Sequence, residues 1–581
     1  MTIHDVDPKI LEKAKGWLSD NYDDETRQAV QNMIDNQPTE LVESFYRDLE
    51  FGTGGLRGIM GSGTNRMNKY TVGAATQGLA NYLKKTLINE PEIRAAIACD
   101  PRNNSPYFAR ISAEVLAANG IRVFLFDSLR PTPELSFAVR QLNCHTGIVV
   151  TASHNPKEYN GYKVYWGDGG QLVPPHDKNV IAEVQKIASV ADIKFSGNED
   201  KIKIIGAEVD EAYLNTLKTL SLSPEIIKKQ HDIKIVYTAI HGTGYKLVPE
   251  VLKKFGFTNV FTVAEQMVPD GNFPTVVSPN PEEKAALKMA LELARKENAD
   301  VILATDPDAD RVGMGVRDNA GNYILLNGNQ SASLLIYYLL SQWKANGKLT
   351  GKEFIAKTIV TSELLKDIAD SCNVETFDVL TGFKYIAEVI RKNEPQKKFI
   401  GGGEESYGYL IGDAVRDKDA VASCAMLCET AAWAREQGMS MYEMLINIYH
   451  EYGFYLEDLI SITKKGKSGA EEILQMMVDY RSTPPKEING IKVVTIKDYL
   501  LQKEQNLISG ATKPIDLPKS DVLQFFLEGG SKITVRPSGT EPKIKFYFGV
   551  KGLLPDKSKF DEVNKEMRKK LEEMIDAMKL R

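Results

Sequence analysis

The run Gly147-Ile148-Val149-Val150-Thr151-Ala152-Ser153-His154-Asn155-Pro156-Lys157-Glu158-Tyr159-Asn160-Gly161-Tyr162-Lys163 decides how the chain reads. Ile148 to Val150 is a short apolar segment with the signature of a buried strand. It passes straight into a polar loop, which Pro156 and Gly161 keep from becoming a helix. Ser153 is therefore expected at a strand end, exposed to solvent, where ligands of open α/β sheets gather. A serine hydroxyl is a poor nucleophile without a base or metal to activate it. Alone, Ser153 reads as a turn residue; the sequence far downstream changes that reading.

There the apolar strand Val301-Ile302-Leu303-Ala304 runs into Thr305-Asp306-Pro307-Asp308-Ala309-Asp310-Arg311. Three carboxylates at alternate positions on a tight loop repel one another unless a cation sits among them. Their oxygens are hard ligands suited to Mg²⁺. An EF-hand would need Gly and Glu where Arg311 and Arg317 stand, which excludes it. An aspartyl-phosphate phosphatase using Asp306 and Asp308 would have Thr or Val where Asp310 stands. A metal site beside a strand-end serine points to phosphoryl transfer through a phosphoserine. Arg536-Pro537-Ser538-Gly539-Thr540-Glu541-Pro542-Lys543, between two strands, offers an arginine, hydroxyls and turn N–H groups. It reads as a phosphate cradle, with a solvated hairpin as the alternative. Phe51-Gly52-Thr53-Gly54-Gly55-Leu56-Arg57-Gly58 is a glycine-dense loop around one arginine, either a plain turn or an anion contact.

The 581 residues imply about four domains at roughly 150 residues each. An apolar fraction of 43% and a charged fraction of 26% belong to an ordinary globular protein. The net charge of -6 excludes a nucleic-acid partner, so any anion must be held by a local cluster. The five cysteines are odd in number and scattered, and Cys424 and Cys428 read as two buried thiols on one helix. Residues Met1 to Asp7 carry no signal-peptide pattern, and the longest apolar run, Leu334 to Leu340, is too short to span a bilayer. A cytoplasmic location without membrane attachment is expected.

Taken in order, residues 8 to 49 carry helical apolar spacing and read as a helical extension packed on the first domain. A first α/β unit has strands Ala96–Cys99, Val123–Phe126 and Ile148–Val150, a helix Pro106–Ala118, and a loop from Ser153 to Gly170. A second opens near residue 206, with strands Ile233–Tyr237, Val260–Val263 and Val301–Ala304, and a helix directly after Asn280-Pro281-Glu282-Glu283. A third has a helix Gln330–Trp343, a strand Ile355–Val360, and Phe399-Ile400 entering a glycine loop, Gly401 to Gly408. After about residue 452 the pattern becomes α+β, with strands Ile533–Val535 and Ile544–Val550 and a last helix Phe560–Met578. The expected division is 1–205, 206–318, 319–452 and 453–581.

From roughly Leu41 to the C-terminus the chain resembles the α-D-phosphohexomutases, and within them the phosphoglucomutase type. Four motifs carry the resemblance, in the family's order: Thr151-Ala152-Ser153-His154-Asn155-Pro156, Asp306-Pro307-Asp308-Ala309-Asp310-Arg311, Gly403-Glu404-Glu405-Ser406 and Arg536-Pro537-Ser538-Gly539-Thr540. The resemblance implies three consecutive α/β sandwich domains with mixed sheets, for the phosphoserine, the metal and the sugar. A C-terminal α+β phosphate-binding domain with an antiparallel sheet completes a central cleft. The implied activity is interconversion of glucose 1-phosphate and glucose 6-phosphate through a phosphoserine enzyme and a glucose 1,6-bisphosphate intermediate. Mannose or ribose phosphates are alternative substrates, and a metal-dependent sugar phosphatase is the more distant alternative. One Mg²⁺ per active site, sugar-phosphate ligands and a monomer or homodimer are implied as well.

By the same resemblance, Ser153 is the phosphoryl carrier, and its phosphate joins Asp306, Asp308 and Asp310 in holding Mg²⁺. Lys163 is an acid/base candidate, which requires its pKa to be moved toward neutrality. Arg57 and Arg311 match the arginines that steady the transferring group, and Glu404 and Ser406 those that read sugar hydroxyls. Lys384 sits in a similar Thr-Gly-x-Lys loop, while Arg536, Ser538, Gly539 and Thr540 match the holders of the non-reacting phosphate. Relatives often place a histidine in or just after the sugar loop, but here the run is Tyr407-Gly408-Tyr409-Leu410-Ile411-Gly412, and none precedes Arg416-Asp417-Lys418-Asp419. The second acid/base is thus open, with His154 and His241 as nearby residues that equally suit loop ordering. The N-terminal extension looks like that of the long phosphoglucomutase/phosphopentomutase branch.

Overall fold

The structure is a computed structural model that describes residues 2–52, 54–464, 466–538 and 543–581, with backbone alone at 466, 467 and 470. Three helices open it: α1 (Pro8–Gly16), α2 (Asp24–Asn36) and α3 (Pro38–Phe45). The carboxylates of Asp7 and Asp23 cap the first two by accepting the N–H of Lys9 and Thr26. Their apolar faces gather Trp17, Val30 and Phe45 against Tyr70, in the first turn of α4 (Lys69–Thr86). The extension thus packs on the first α/β unit.

That unit is built on β1 (Gly55–Ile59), β2 (Arg94–Cys99), β3 (Arg122–Phe126), β4 (Thr146–Val150), β5 (Tyr159–Trp166) and β6 (Ile202–Ile205), in the order β1-β5-β4-β2-β3-β6. Helices α5 (Ser105–Ala118) and α6 (Thr132–Gln141) cover its faces. Strands β4, β2, β3 and β6 are parallel; β5 runs antiparallel to β4, and β1, antiparallel to β5, forms the edge. Two stretches expected as loops are therefore strands. The chain around Arg57 is β1, and Tyr159–Trp166 within the segment after Ser153 is β5, carrying Lys163 between β4 and β1. Glycines conceal this in the sequence, yet they permit it. At Gly55, with φ 137°, a Cβ would meet the Tyr162 carbonyl oxygen at 1.7 Å, and at Gly161 the Thr151 carbonyl oxygen at 2.4 Å.

The second sheet comprises β7 (Lys234–Thr238), β8 (Asn259–Thr262), β9 (Val301–Thr305), β10 (Val312–Arg317) and β11 (Tyr323–Leu326), in the order β11-β10-β9-β7-β8. The expected division after residue 318 falls inside this sheet, because β11 pairs with β10. The helix expected after Asn280 begins only at Lys288; residues 280–287 form turns closed by Glu283 N–H to Asn280 O and Ala286 N–H to Glu283 O. Those turns leave Glu282 free to reach Arg311. The third sheet holds β12 (Glu353–Thr358), β13 (Glu375–Val379), β14 (Lys398–Glu404) and β15 (Gly408–Ile411), in the order β13-β12-β14-β15. Gly401, Gly402 and Gly403 belong to β14 rather than to a loop. A Cβ at Gly402 would lie 2.0 Å from the Ala356 carbonyl oxygen, so only glycine lets β14 approach β12 there.

These three sheets repeat one plan that residue identity does not reveal. Parallel strands end at β4, β9 or β14, and each of these is followed by an antiparallel neighbour, β5, β10 or β15. The fourth sheet is antiparallel throughout: β16 (Phe454–Thr463), β17 (Glu487–Ile488), β18 (Ile491–Asp498), β19 (Lys503–Asn506), β20 (Thr512–Pro514), β21 (Leu523–Leu527), β22 (Lys532–Pro537) and β23 (Lys543–Gly552). The helix Phe560–Ala577 packs on β23 and β16. Cys424 and Cys428 are buried on the helix Ala420–Glu436 with free thiols. No helix among the described residues is long and apolar enough to cross a membrane.

Candidate active site

The equivalent strands β4, β9 and β14 deliver Ser153, the aspartate loop and Glu404 to one cleft of about 810 Å³, with Asp310 the aspartate that lines it. Ser153 was expected to face solvent, but it is only 4% exposed, on the cleft floor. Its backbone adopts φ 52°, in the left-handed region that non-glycine residues seldom enter. The turn is secured from below. Thr151 Oγ1 accepts the Ser153 N–H at 2.8 Å and donates to Asp100 Oδ2 at 2.7 Å. Buried Arg102 donates to the carbonyls of Ser153, Asn155, Pro156 and Tyr159, pairs with Asp100 at 3.2 Å and lies over the Phe273 ring. Sequence reasoning missed Arg102; its only signal was Asp100-Pro101-Arg102 at the end of another parallel strand.

Asp306, Asp308 and Asp310 are all buried, and each offers an oxygen within 4.8 Å of the others'. Ser153 Oγ donates to Asp306 Oδ2 at 2.7 Å, while Asp306 Oδ1 accepts the N–H of Asp310 at 3.1 Å and of Arg311 at 3.0 Å. Burial, with Asp308 and Asp310 beside it, pushes the Asp306 pKa well above the usual carboxylate range. Asp308 Oδ1 and Asp310 Oδ1 are buried without a hydrogen-bond partner among the described residues. Three neighbouring carboxylates, two of them with an orphaned hard oxygen, are what a divalent cation needs, so the donor set fits Mg²⁺.

Two lysines face these aspartates. Lys163 Nζ lies 2.8 Å from Asp308 Oδ2 and 3.3 Å from Asp310 Oδ2, and Lys418 Nζ lies 3.1 Å from Asp310 Oδ2. Burial alone would lower the Lys163 pKa, but Asp308 and Asp310 overcome it and hold the ammonium above its ordinary range. Lys418 is shifted in the same direction, its burial outweighed by Asp310 and Asp417. Sequence reasoning assigned no role to Lys418, whose place here arises from the helix entry at Ala420 meeting the metal loop; Ala420 N–H donates to Ala309 O at 3.2 Å. His154 lines the cleft with Nδ1 3.2 Å from Ser153 Oγ. Burial and then the charges of Arg311 and Arg57 push its pKa down to about 2, so its ring is neutral. His241 instead has both ring nitrogens engaged, with Val268 O at 2.8 Å and Thr275 Oγ1 at 2.9 Å, and orders its loop.

Arg57 reaches Asn155 Oδ1 at 3.3 Å, and Arg311 pairs with Glu282 at 2.6 Å, both at the cleft wall. Glu404 is held by the Gly382 N–H at 2.9 Å, and Ser406 lines the cleft beside it. Gly382 and Phe383 line it too, while Lys384 turns its ammonium over the Tyr385 ring. From the fourth sheet come Arg536 and Lys545, direct cross-strand partners on β22 and β23. The Ser538 N–H donates to Lys543 O at 2.7 Å; Gly539 and Thr540 lie outside the described residues.

Three mixed α/β sandwiches and an antiparallel sheet hold this serine-and-aspartate cleft, and the chain is an intramolecular phosphotransferase of the phosphomutase class. The chain belongs to the phosphoglucomutase/phosphomannomutase family: residues 48–191, 211–321 and 327–452 match its alpha/beta/alpha domains I, II and III in turn. It is 41% identical over 527 residues to the phosphoglucomutase of Staphylococcus aureus strain MRSA252, covering 90% of this chain and 92% of that one. A phosphoglucomutase of Staphylococcus epidermidis strain RP62A is 38% identical over 533 residues, 89% of this chain and 95% of the relative. Among solved structures, the open form of Paramecium parafusin, a phosphoglucomutase, superposes with a TM-score of 0.69 at 16% identity, covering 92% of this chain and 95% of that one. A phosphoglucomutase/phosphomannomutase family protein of Burkholderia thailandensis gives a TM-score of 0.63 at 17% identity, with coverages of 91% and 97%.

Proposed function

We propose that this chain is a phosphoglucomutase that carries its phosphoryl group on Ser153 and passes through glucose 1,6-bisphosphate. The observation that carries this reading is Ser153 Oγ, 2.7 Å from Asp306, on the floor of a cleft whose other walls are Glu404 and the Arg536–Lys545 pair. The phosphoryl group of phospho-Ser153 moves to a free hydroxyl of the bound sugar monophosphate: the P–Oγ bond breaks and a P–O bond to the sugar forms. The hydroxyl gives up its proton to a neighbouring base, and Ser153 Oγ regains one. The bisphosphate turns over, and its other phosphate returns to Ser153.

One Mg²⁺ would be held by Asp306, Asp308, Asp310 and the Ser153 phosphate. Bound there, it supplies neutralising charge for the transferring phosphoryl group and offsets the carboxylate charge that keeps Lys163 and Lys418 protonated. Lys163 and Lys418 both approach Asp310 Oδ2, one from β5 and the other from the loop before the helix Ala420–Glu436, so one suits the role of base for the attacking hydroxyl and the other that of acid. Arg57 and Arg311 orient the transferring group. Glu404 accepts from neighbouring ring hydroxyls with Ser406 beside it, while Arg536, Ser538, Gly539 and Thr540, joined by Lys545, hold the idle phosphate. In the same reading the second and third domains divide after β11, at residue 326, rather than at 318.

A coupled assay across glucose, mannose and ribose 1-phosphates tests the function. Glucose 1-phosphate should lead in kcat/KM, with mannose 1-phosphate a measurable second. Ribose 1-phosphate ahead of both would move the chain to phosphopentomutase activity, and stoichiometric phosphate release would make it a phosphatase.

A further inference from the structure

Thr132 is the first residue of α6, in the unit that carries Ser153, yet its polar atoms serve a residue of the loop that follows β9 in the second unit. Its N–H donates to the carbonyl oxygen of Asp308 at 2.9 Å, and its Oγ1 donates to Asp308 Oδ2 at 2.9 Å. Thr132 is wholly buried, as is Asp308. With Oδ2 occupied, Oδ1 is the Asp308 oxygen left without a partner among the described residues. We propose that Thr132 is a positioning residue that sets Asp308 so that Oδ1 is presented to the divalent cation. This rests on reading Asp306, Asp308 and Asp310 as the metal loop.

Two donors hold Asp308 Oδ2, and they differ in kind. Lys163, at 2.8 Å, is a cation and is repelled when another cation binds the same carboxylate. The Thr132 hydroxyl is neutral, so it carries no charge that a cation on the same carboxylate would repel. Second-layer partners of this sort determine which oxygen of a ligating carboxylate faces the metal. The Asp308 carboxylate also lies at the N-terminus of α6, a ten-residue helix whose dipole favours an anion. The start of α6 is itself tied down: Arg130 pairs with Asp210 at 2.6 Å, and Asp210 with Lys246 at 2.6 Å, so the helices Ala207–Lys218 and Gly244–Phe255 brace it. On the loop's other side, Thr243 N–H donates to Pro307 O at 2.8 Å. The metal loop is thus gripped from both units, and Thr132 is the grip that reaches the Asp308 side chain without bringing a charge to it.

The test is direct titration of the metal-stripped full-length protein with Mg²⁺ by calorimetry, or with Mn²⁺ by electron paramagnetic resonance. Thr132→Val, which keeps the shape and removes the hydroxyl, should weaken cation affinity about 10–100-fold, while Thr132→Ser should restore it to within about threefold. Thr132→Ala provides a second hydroxyl deletion should valine disturb the fold, and thermal melting checks each variant. Asp308→Asn is the control for the metal loop. Loss of binding in Asp308→Asn with wild-type affinity in a folded Thr132→Val or Thr132→Ala would overturn the positioning role and leave the metal loop standing. Wild-type binding by Asp308→Asn would instead overturn the metal loop. A Thr132→Ser protein as weak as the valine variant, or unfolding of both deletions, would also refute the proposal, because the residue would then act through packing.

Discussion

Ser153 Oγ donates to Asp306 Oδ2 at 2.7 Å, a bond that joins the ends of β4 and β9, equivalent strands of two different sheets. The other oxygen of Asp306 is spent on its own loop, accepting the N–H groups of Asp310 and Arg311. The carboxylate is therefore aimed, with one oxygen anchoring the turn and the other at the serine. Ser153 completes the geometry by adopting φ 52°. A non-glycine residue held in that region costs on the order of 1 kcal/mol, and such strain collects at reacting residues. The network through Thr151, Asp100 and Arg102 maintains it.

If Ser153 carries the phosphoryl group, Ser153→Ala removes the only atom to which it can be attached. Mutase activity should fall by several orders of magnitude while the protein stays folded. Mass spectrometry of the wild-type peptide spanning Ser153 should show phosphate. Near-normal turnover by the alanine variant would exclude Ser153.

The aspartates make a separate prediction. Chelation should abolish activity and Mg²⁺ should restore it. Asp306→Asn should lose activity and cation affinity together, because it removes a ligand that also faces the serine. Wild-type Mg²⁺ affinity and rate in that variant would show that the loop has another purpose.

Much of this site was legible in the sequence, for one physical reason. Val149-Val150-Thr151 and Leu303-Ala304-Thr305 are apolar strands that stop abruptly at residues no strand core tolerates, so both the strand ends and the chemistry at them stand out. The strands carrying Arg57 and Lys163 did not stand out. They contain glycine and polar residues, and their burial comes from neighbouring strands rather than from their own hydrophobicity. Arg102, Thr132 and Lys418 escaped because each acts on a residue distant in sequence, and no local pattern marks a tertiary contact. An acid/base role for Lys163 requires its pKa to move toward neutrality, whereas Asp308 and Asp310 shift it upward in this structure.

Glu405 supplies a pH dependence. Burial, and then the charge of Glu404, pushes its pKa from an ordinary 4.5 up to about 7, against the opposing pull of hydrogen bonds such as that from Thr358 Oγ1 at 3.2 Å. A folded pKa above the unfolded value means that the stabilising contribution is complete below about 4.5 and is lost as pH rises through about 7. Glu405→Gln, which stays neutral, should remove this component. Melting temperatures of wild type and variant should diverge between pH 5 and 8, wild type falling relative to the glutamine protein. Parallel curves across that window would show that Glu405 is ionised throughout.

Arg536 and Lys545 face each other as direct cross-strand partners on β22 and β23, and both line the cleft. Like charges opposite one another in an antiparallel pair are destabilising. Burial, and then the charges of Arg536 and Lys543, lower the Lys545 pKa, which records that repulsion. A phosphate seated between the two side chains would convert it into attraction, and the planar guanidinium can meet two phosphate oxygens at once. Arg536→Ala should therefore weaken sugar-phosphate binding by about 1.5–3 kcal/mol, the range for a lost charge-assisted contact. That corresponds to roughly a 10- to 150-fold rise in Kd. The phosphate content of Ser153 should be unchanged, since the arginine belongs to the opposite wall. Lys545→Met should lose less, because a single ammonium offers no bidentate contact. High salt should narrow the gap between wild type and either variant by screening their charge. Unchanged KM and kcat in Arg536→Ala would remove this strand pair from the substrate site, and equal losses in the two variants would mean that charge alone, without the guanidinium geometry, holds the phosphate.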